Sequence, residues 1–355
     1  MSSVKLDIEA CPVCADKSAQ TFLILGYPEF GYPGEFILKR CQSCGLLFNS
    51  PRLRDDLLVS LYDHNYYIFL ERPRQAVERI GQLYQQTLAV LETRTTCRRI
   101  LEVGSAKGYL LALLKERGWT TCGVELSQYA ADVAFKYLGV RTHCGTLEDW
   151  ISSPEFEPMP VVASTDVIEH VDDPDRFIRA LNAALLDEGL LLIGTPNGEA
   201  RGIDLYGGRW LGFNPFHINI LSRNTLTLLL ERNGFSVELA YTYHNLEPAA
   251  QPLASWRTRL ASVLRWVGLL QKLRQAKHAV AAVMDEWATP LPSRIKKAAQ
   301  TSHVDFFQTP DGFSAAARDC RGDNLVVIAR KRGLPPNRVR PALTDATSGK
   351  TFHQL

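Results

Sequence analysis

The sequence predicts an α/β fold built on a mainly parallel sheet, preceded by a short cysteine-paired module. Three observations lead there. Apolar runs of strand length alternate with amphipathic helical stretches from about residue 99 to residue 242. One of these units, Arg99 to Leu111, joins a strand to a helix through a glycine-bracketed turn. And two C-x-x-C pairs stand near the start of the chain.

The chain has 355 residues, enough for one large domain or two. Hydrophobic residues make up 46% and charged residues 22%, which are globular values, and the formal net charge of +2 gives no bulk attraction to nucleic acid or membrane. Met1-Ser2-Ser3-Val4-Lys5 has no apolar core of a signal peptide, and no apolar run is long enough to span a bilayer. The expected location is therefore cytoplasmic, with reduced thiols.

Taking the elements in order, Cys11-Pro12-Val13-Cys14 and Cys41-Gln42-Ser43-Cys44 are separated by 26 residues. Two such knuckles offer four thiolates to one tetrahedral Zn²⁺. The segment between them is too small for its own core, so a structural ion would supply its folding energy. The alternatives are a redox pair or four unrelated cysteines. Cys97, Cys122, Cys144 and Cys320 are scattered and read as small core residues. From residue 70 to 97 the apolar positions Val77, Ile80, Leu83, Tyr84, Leu88 and Leu91 have helical spacing and predict a linker helix.

Ile100 to Val103 is a strand-like run, Gly104 and Gly108 bracket a tight turn, and Leu110, Leu111, Leu113 and Leu114 begin a helix. This arrangement collects backbone N–H groups and a helix N-terminus beside one point. The turn, Gly104-Ser105-Ala106-Lys107-Gly108, lacks the middle glycine of a dinucleotide fingerprint and the Lys-Ser/Thr pair of a P-loop. Glu102 ends the strand and would repel phosphate but accept from an ammonium group. Glu125 ends the next strand, Thr120 to Val124, and is placed to accept from two ribose hydroxyls. An amino-acid end plus a ribose without phosphate describes S-adenosyl-L-methionine. The bland alternative is an ordinary strand–turn–helix whose glycines serve geometry alone.

At Glu102 to Gly108 the chain resembles the class I S-adenosylmethionine-dependent methyltransferases, with Ala106 at the place of the central glycine. The cysteine module, with Arg40 to Arg52, resembles a zinc-ribbon leader fused to many bacterial methyltransferases of sugar, glycan and lipid pathways. The resemblance implies a Rossmann-like, seven-stranded sheet with an N-terminal zinc ribbon and a helical insertion before the last strand. It implies cofactor contacts from Glu102, Gly104, Ser105, Gly108, Glu125, Leu126, Thr146, Leu147 and Asp166. Tyr66 and Tyr67 either cap that pocket or simply pack.

Ser127 is placed to cap a helix through Tyr137, Arg141 to Cys144 reads as a short strand, and Pro174 opens a helix after it. Between them Val161 to Thr165 runs into Asp166-Val167-Ile168-Glu169-His170, whose i, i+3, i+4 spacing gathers Asp166, Glu169 and His170 on one face of a helical turn. This stretch is similar to the fourth-motif region of ubiquinone-pathway O-methyltransferases. Three readings of His170 compete: a general base, a ligand of a second divalent ion, or a hydrogen-bonding strut. By resemblance to small-RNA 2′-O-methyltransferases, the ion set would be Asp166, Glu169, His170 and His217. His217 lies in a loop rich in glycine and aromatics, Gly207 to Phe216, and is the preferred catalytic base; helix capping is its alternative.

Phe235 to Thr242 and Asn324 to Arg330 read as the last strands. The insert between them holds a basic amphipathic stretch, about residues 256–284, with no acid between Glu247 and Asp285. It suits either a lid or an anionic membrane surface. The expected division is residues 1–60 ribbon, 61–97 linker helix, 98–244 with 322–333 catalytic domain, 245–321 insertion, and 334–355 disordered tail. The expected activity is methyl transfer to an oxygen or carbon of a small carbohydrate, glycan or lipid-linked acceptor. The rivals are a nucleic-acid methyltransferase or binder, which the absence of a basic tract disfavours, and an inactive interaction module, which the intact Glu102–Glu125 pair disfavours.

Overall fold

A computed structural model describes residues 5–27, 32, 34–54, 57, 73–243, 304–306 and 321–333. Tyr66, Tyr67, Cys320, the basic stretch 256–284 and the tail 334–355 lie outside the described residues.

The chain begins with β1 (Lys5–Leu6), β2 (Ala19–Gly26), β3 (Glu35–Cys41), β4 (Leu47–Asn49) and β5 (Arg52–Leu53). Helix α1 (Pro73–Arg94) follows, and then β6 (Arg99–Val103), α2 (Tyr109–Glu116), β7 (Thr120–Glu125), α3 (Gln128–Leu138), β8 (Thr142–Cys144), α4 (Leu147–Ser152) and β9 (Met159–Thr165). After a 3₁₀ turn at Ile168–His170 come α5 (Pro174–Ala184), β10 (Leu185–Pro196), α6 (Arg201–Tyr206), β11 (Asn219–Ile220), α7 (Arg223–Arg232), β12 (Phe235–Tyr243), β13 (Val304–Phe306) and β14 (Asn324–Lys331).

The main sheet has the order β13-β12-β14-β10-β9-β6-β7-β8. Strands β6 to β10 pair parallel, and β14 runs antiparallel between β10 and β12. The seven expected strands are all present. An eighth, β13, pairs antiparallel with the outer edge of β12. It arises inside the insert that the sequence predicts to be helical, so at 304–306 that expectation is corrected: extended backbone there continues an open sheet edge.

The central strands are apolar on both faces. Leu101, Val103, Val162, Leu191, Ile193, Leu325 and Val327 pack to one side. Ile100, Val161, Ala163, Leu190, Leu192, Val326 and Ile328 pack to the other. This is the period-two alternation of a sheet covered by helices on both faces. Helix α1 belongs to the second layer: Val77, Tyr84, Leu88 and Leu91 are buried in the same cluster as Leu111 and Leu114. The stretch predicted as a linker is thus part of the core.

Chain order reverses at β6: β7 and β8 lie to one side of it, β9 and β10 to the other. The carboxyl ends of β6 and β9 therefore open onto the crevice where doubly wound sheets bind ligands. A second sheet, β11-β4-β3-β2, joins the cysteine module to the loop between β10 and α7.

Candidate active site

The β6–α2 turn is strained where the sequence departs from glycine. Ala106 has φ +45°, in the left-handed region, so alanine holds the conformation that a glycine would take there without strain. Gly104 and Gly108 both have φ +73°. A Cβ on Gly104 would lie 2.3 Å from Val167 Cγ2, so only glycine fits between the β6 and β9 ends. Ser105 packs over Gly123, where a Cβ would meet its Oγ at 2.4 Å.

Glu125 organises this turn. Its Oε2 accepts from the Ala106 amide at 2.8 Å and its Oε1 from the Ser127 amide at 2.9 Å. Each oxygen retains acceptor capacity for a further donor. Glu102 sits one strand away and is 3% exposed. Its Oε2 is buried without a hydrogen-bond partner. Burial first, then the charges of Glu125 and Asp166, hold its carboxyl well above the usual carboxylate range, against a hydrogen bond with Thr165. An ammonium group brought beside it would supply the missing donor. Leu126 beside Glu125 is 69% exposed.

Of the remaining cofactor expectations, Thr146 has a structural task. Its hydroxyl accepts from the Asp149 amide, and the Asp149 side chain reaches back to the Thr146 amide, forming a capping box at α4. Leu147 is buried in the core. Asp166 is exposed at the end of β9 with φ +56°, its amide donating to the Gly194 carbonyl at 2.9 Å.

Past Asp166 the 3₁₀ turn delivers Glu169 and His170, and the loop before β11 delivers His217. Ligand atoms of these three side chains lie within 4.8 Å of one another. Asp166 is outside this group, which corrects the expected four-residue set: its left-handed backbone turns the chain before the 3₁₀ turn begins. The two rings stand 4.9 Å apart, edge to face. His170 Nδ1 donates to the Phe216 carbonyl at 2.9 Å, and His217 Nδ1 donates to the Gly212 carbonyl at 2.9 Å. Those bonds assign the proton to Nδ1 of each ring, and His170 Nε2 lies 3.7 Å from Glu169 Oε1. Burial lowers His170 to about 4; burial and the neighbouring His170 lower His217 to about 3. Both rings are therefore neutral. Glu169 is fully buried, accepts from Thr195 Oγ1 at 2.9 Å through Oε2, and has an unpartnered Oε1. Burial and Asp166 raise its carboxyl well above the usual range.

The four knuckle cysteines also converge, with thiols within 4.8 Å of one another. Cys11 and Cys44 sulfurs are 3.5 Å apart, as are those of Cys14 and Cys41. A tetrahedron of sulfurs about 2.3 Å from a Zn²⁺ has edges of roughly 3.8 Å, so the thiols need little movement. Backbone amides of Val13 and Cys14 point at Cys11, that of Asp16 at Cys14, and that of Leu46 at Cys44. Ala15 (φ +60°) and Gly45 (φ +80°) turn the chain after each knuckle. Cys97 and Cys144 are exposed and Cys122 is half-buried, so the core role expected of the scattered cysteines fails for the first two.

Residues that the sequence did not single out also border the site. Thr165 bonds both Glu102 and Tyr84, and Tyr84 bonds Tyr243. The tyrosines come from α1 and β12, far apart in sequence, and the packing of α1 on the sheet brings their rings together. Among the described residues, no helix is long and apolar enough to cross a membrane.

The family described as "Methyltransferase domain" matches residues 67–240. A probable S-adenosylmethionine-dependent methyltransferase of Mycobacterium tuberculosis is 34% identical over 158 residues, covering 44% of this chain and 54% of the relative. A ubiquinone biosynthesis O-methyltransferase of Bartonella tribocorum is 29% identical over 163 residues, covering 42% and 65%. The chain thus spans about half to two thirds of the length of these relatives. A crystal structure of an S-adenosylmethionine-dependent methyltransferase from Thermotoga maritima, described as a possible histamine N-methyltransferase, aligns with TM-score 0.44 and 18% identity over 72% of this chain and 92% of that one. Over residues 67–240, which hold the β6–α2 turn and most strands of the main sheet, the chain is thus similar to S-adenosylmethionine-dependent methyltransferases.

Proposed function

We propose that the chain transfers a methyl group from S-adenosyl-L-methionine to an oxygen or carbon nucleophile of a small acceptor, a carbohydrate, glycan or lipid-linked intermediate. One observation carries the cofactor assignment: the buried, partnerless Oε2 of Glu102 beside a glycine turn, one strand from Glu125. The cofactor supplies a methyl group on a sulfonium, displaced in line by the nucleophile. Glu102 would meet the ammonium, Glu125 the ribose hydroxyls, and Leu126 the adenine. The ubiquinone-pathway relative, by name an O-methyltransferase, supports an oxygen acceptor.

Neutral imidazoles at the crevice can take a proton from an acceptor or hold an ion. A base held at about 4 or below is weak near pH 7. The geometry favours the ion: one ligand atom each of Glu169, His170 and His217 lies within 4.8 Å of the others, and each His is fixed by a backbone carbonyl, as metal-bound histidines are. Glu169, His170 and His217 would hold a divalent cation that lowers the pKa of an acceptor hydroxyl. The four knuckle thiolates would hold a structural Zn²⁺.

Calorimetric titration with S-adenosylmethionine tests the first assignment; no heat of binding at high micromolar cofactor overturns it. Metal analysis of wild type and His170→Ala tests the second: one divalent ion per chain should be lost, while the thiolate-held ion remains.

A further inference from the structure

One buried side chain of the cysteine module reaches the backbone that carries the histidine pair. Asn49 ends β4 and is 1% exposed. Its Nδ2 donates to the Pro215 carbonyl at 3.1 Å and to the His217 carbonyl at 3.5 Å. Its backbone amide donates to the Ile218 carbonyl at 3.0 Å. Beyond this point β11 joins the module's sheet, Asn219 opposite Phe48 and Ile220 opposite Leu47.

Residues 215–217 present their carbonyls alternately. Those of Pro215 and His217 face Asn49; that of Phe216, between them, accepts from His170 Nδ1. Fixing the outer two fixes the middle one. We propose that Asn49 is a positioning residue that sets both imidazoles: it holds the backbone of His217 directly, and holds His170 through the Phe216 carbonyl.

The side-chain chemistry is narrow. Two facing carbonyls demand a donor, so the amide nitrogen must point at them, and Asn49 Oδ1 is left buried without a partner. A carboxylate of the same shape would set oxygen against oxygen. Only four residues separate Cys44 from Asn49, so the knuckle fixes the strand end that carries the amide. The cysteine module thereby becomes part of the catalytic arrangement. This inference rests on the reading of His170 and His217 as site residues.

The test uses the full chain with ¹⁵N-labelled histidine. Long-range ¹H–¹⁵N spectra of the wild type should show both rings locked as the Nδ1–H tautomer. In Asn49→Ala and the isosteric Asn49→Asp, the His170 and His217 signals should move toward tautomer averaging. Amide exchange over 213–218 should quicken by about tenfold, the loss expected for one buried hydrogen bond. Cofactor affinity by calorimetry should stay within about twofold, because Glu102 and Glu125 lie on other strands. Unchanged ring signals in a folded variant overturn the inference. So does failure of both variants to fold, which would make the contact purely structural. A wild type that binds no S-adenosylmethionine would instead overturn the proposed function, since the ring signals report positioning regardless.

Discussion

At Glu102, binding and stability oppose each other. Folding buries this carboxyl and raises its pKa, so the folded state favours the protonated form. The sign follows: below the ordinary carboxylate value both states are protonated and nothing is lost, and as pH rises toward the folded pKa the unfolded state gains. The ligand-free protein should therefore lose stability as pH rises above the ordinary carboxylate value, and Glu102→Gln should flatten that slope, read by thermal melts across pH. The same variant should bind S-adenosylmethionine at least about tenfold more weakly, because a neutral amide cannot meet an ammonium charge. A variant that keeps both the slope and the affinity sinks this account. At the turn, Ala106→Gly should be neutral or stabilising by up to ~1 kcal/mol, since φ +45° strains alanine. Gly104→Ala should abolish cofactor binding, as its Cβ would strike Val167. Equal cofactor affinity of these two variants would contradict the turn geometry.

Among the elements, α1 is joined to the strand–turn–helix unit by Glu92. Its carboxylate accepts from Arg98 at 2.7 Å, from Arg117 at 2.8 and 3.1 Å, and from Trp119 Nε1 at 3.3 Å. Arg117 first, with Trp119 and Arg98, holds the carboxyl down to about 2 against partial burial. A lowered folded pKa contributes stability above the ordinary carboxylate value, lost as pH falls toward about 2. Glu92→Gln should cost about 1–2 kcal/mol at neutral pH and progressively less as pH falls below the ordinary carboxylate value toward about 2, measured by denaturant melts. An equal cost at both pH values would show that the charge is irrelevant. This contact was invisible beforehand, because helical spacing reveals a buried stripe but not what it packs on. Elements with local signals were legible: Ser127 caps α3 through the Ala130 amide, and Asp173 caps α5 ahead of Pro174. The knuckle cysteines were legible because their spacing is written in short motifs, and the four thiols converge. Asn49, Tyr84 and Tyr243 were not, since their partners lie across the fold and no local pattern marks them. Asp166 was misplaced because helical spacing assumes a right-handed backbone, and its φ is positive.

For the whole molecule, the cysteine module and the sheet domain are one body of packing. Cys11, Val13, Cys41, Leu46 and Phe48 lie in the same apolar cluster as Leu101 and Val162. Phe36, Leu38 and Leu47 share a second cluster with Trp210, Phe213, Phe216 and Ile220. Arg232 of α7 reaches the Val13 carbonyl as well as Asp175, 2.5 Å away. A module joined this way cannot open without exposing Phe48 and Phe216 together, so its unfolding free energy adds to that of the sheet. Calorimetry should show one transition for residues of both parts, where an independent ribbon would melt separately. If the knuckle thiolates hold the structural ion proposed above, a strong chelator should lower that single transition as a whole. It should also loosen the β4–β11 pairing in amide exchange before it affects β6 or β9. Two resolved transitions, or a chelator effect confined to residues 11–45, would show the module to be an appendage, and the link from thiolates to imidazoles would be broken at its first step.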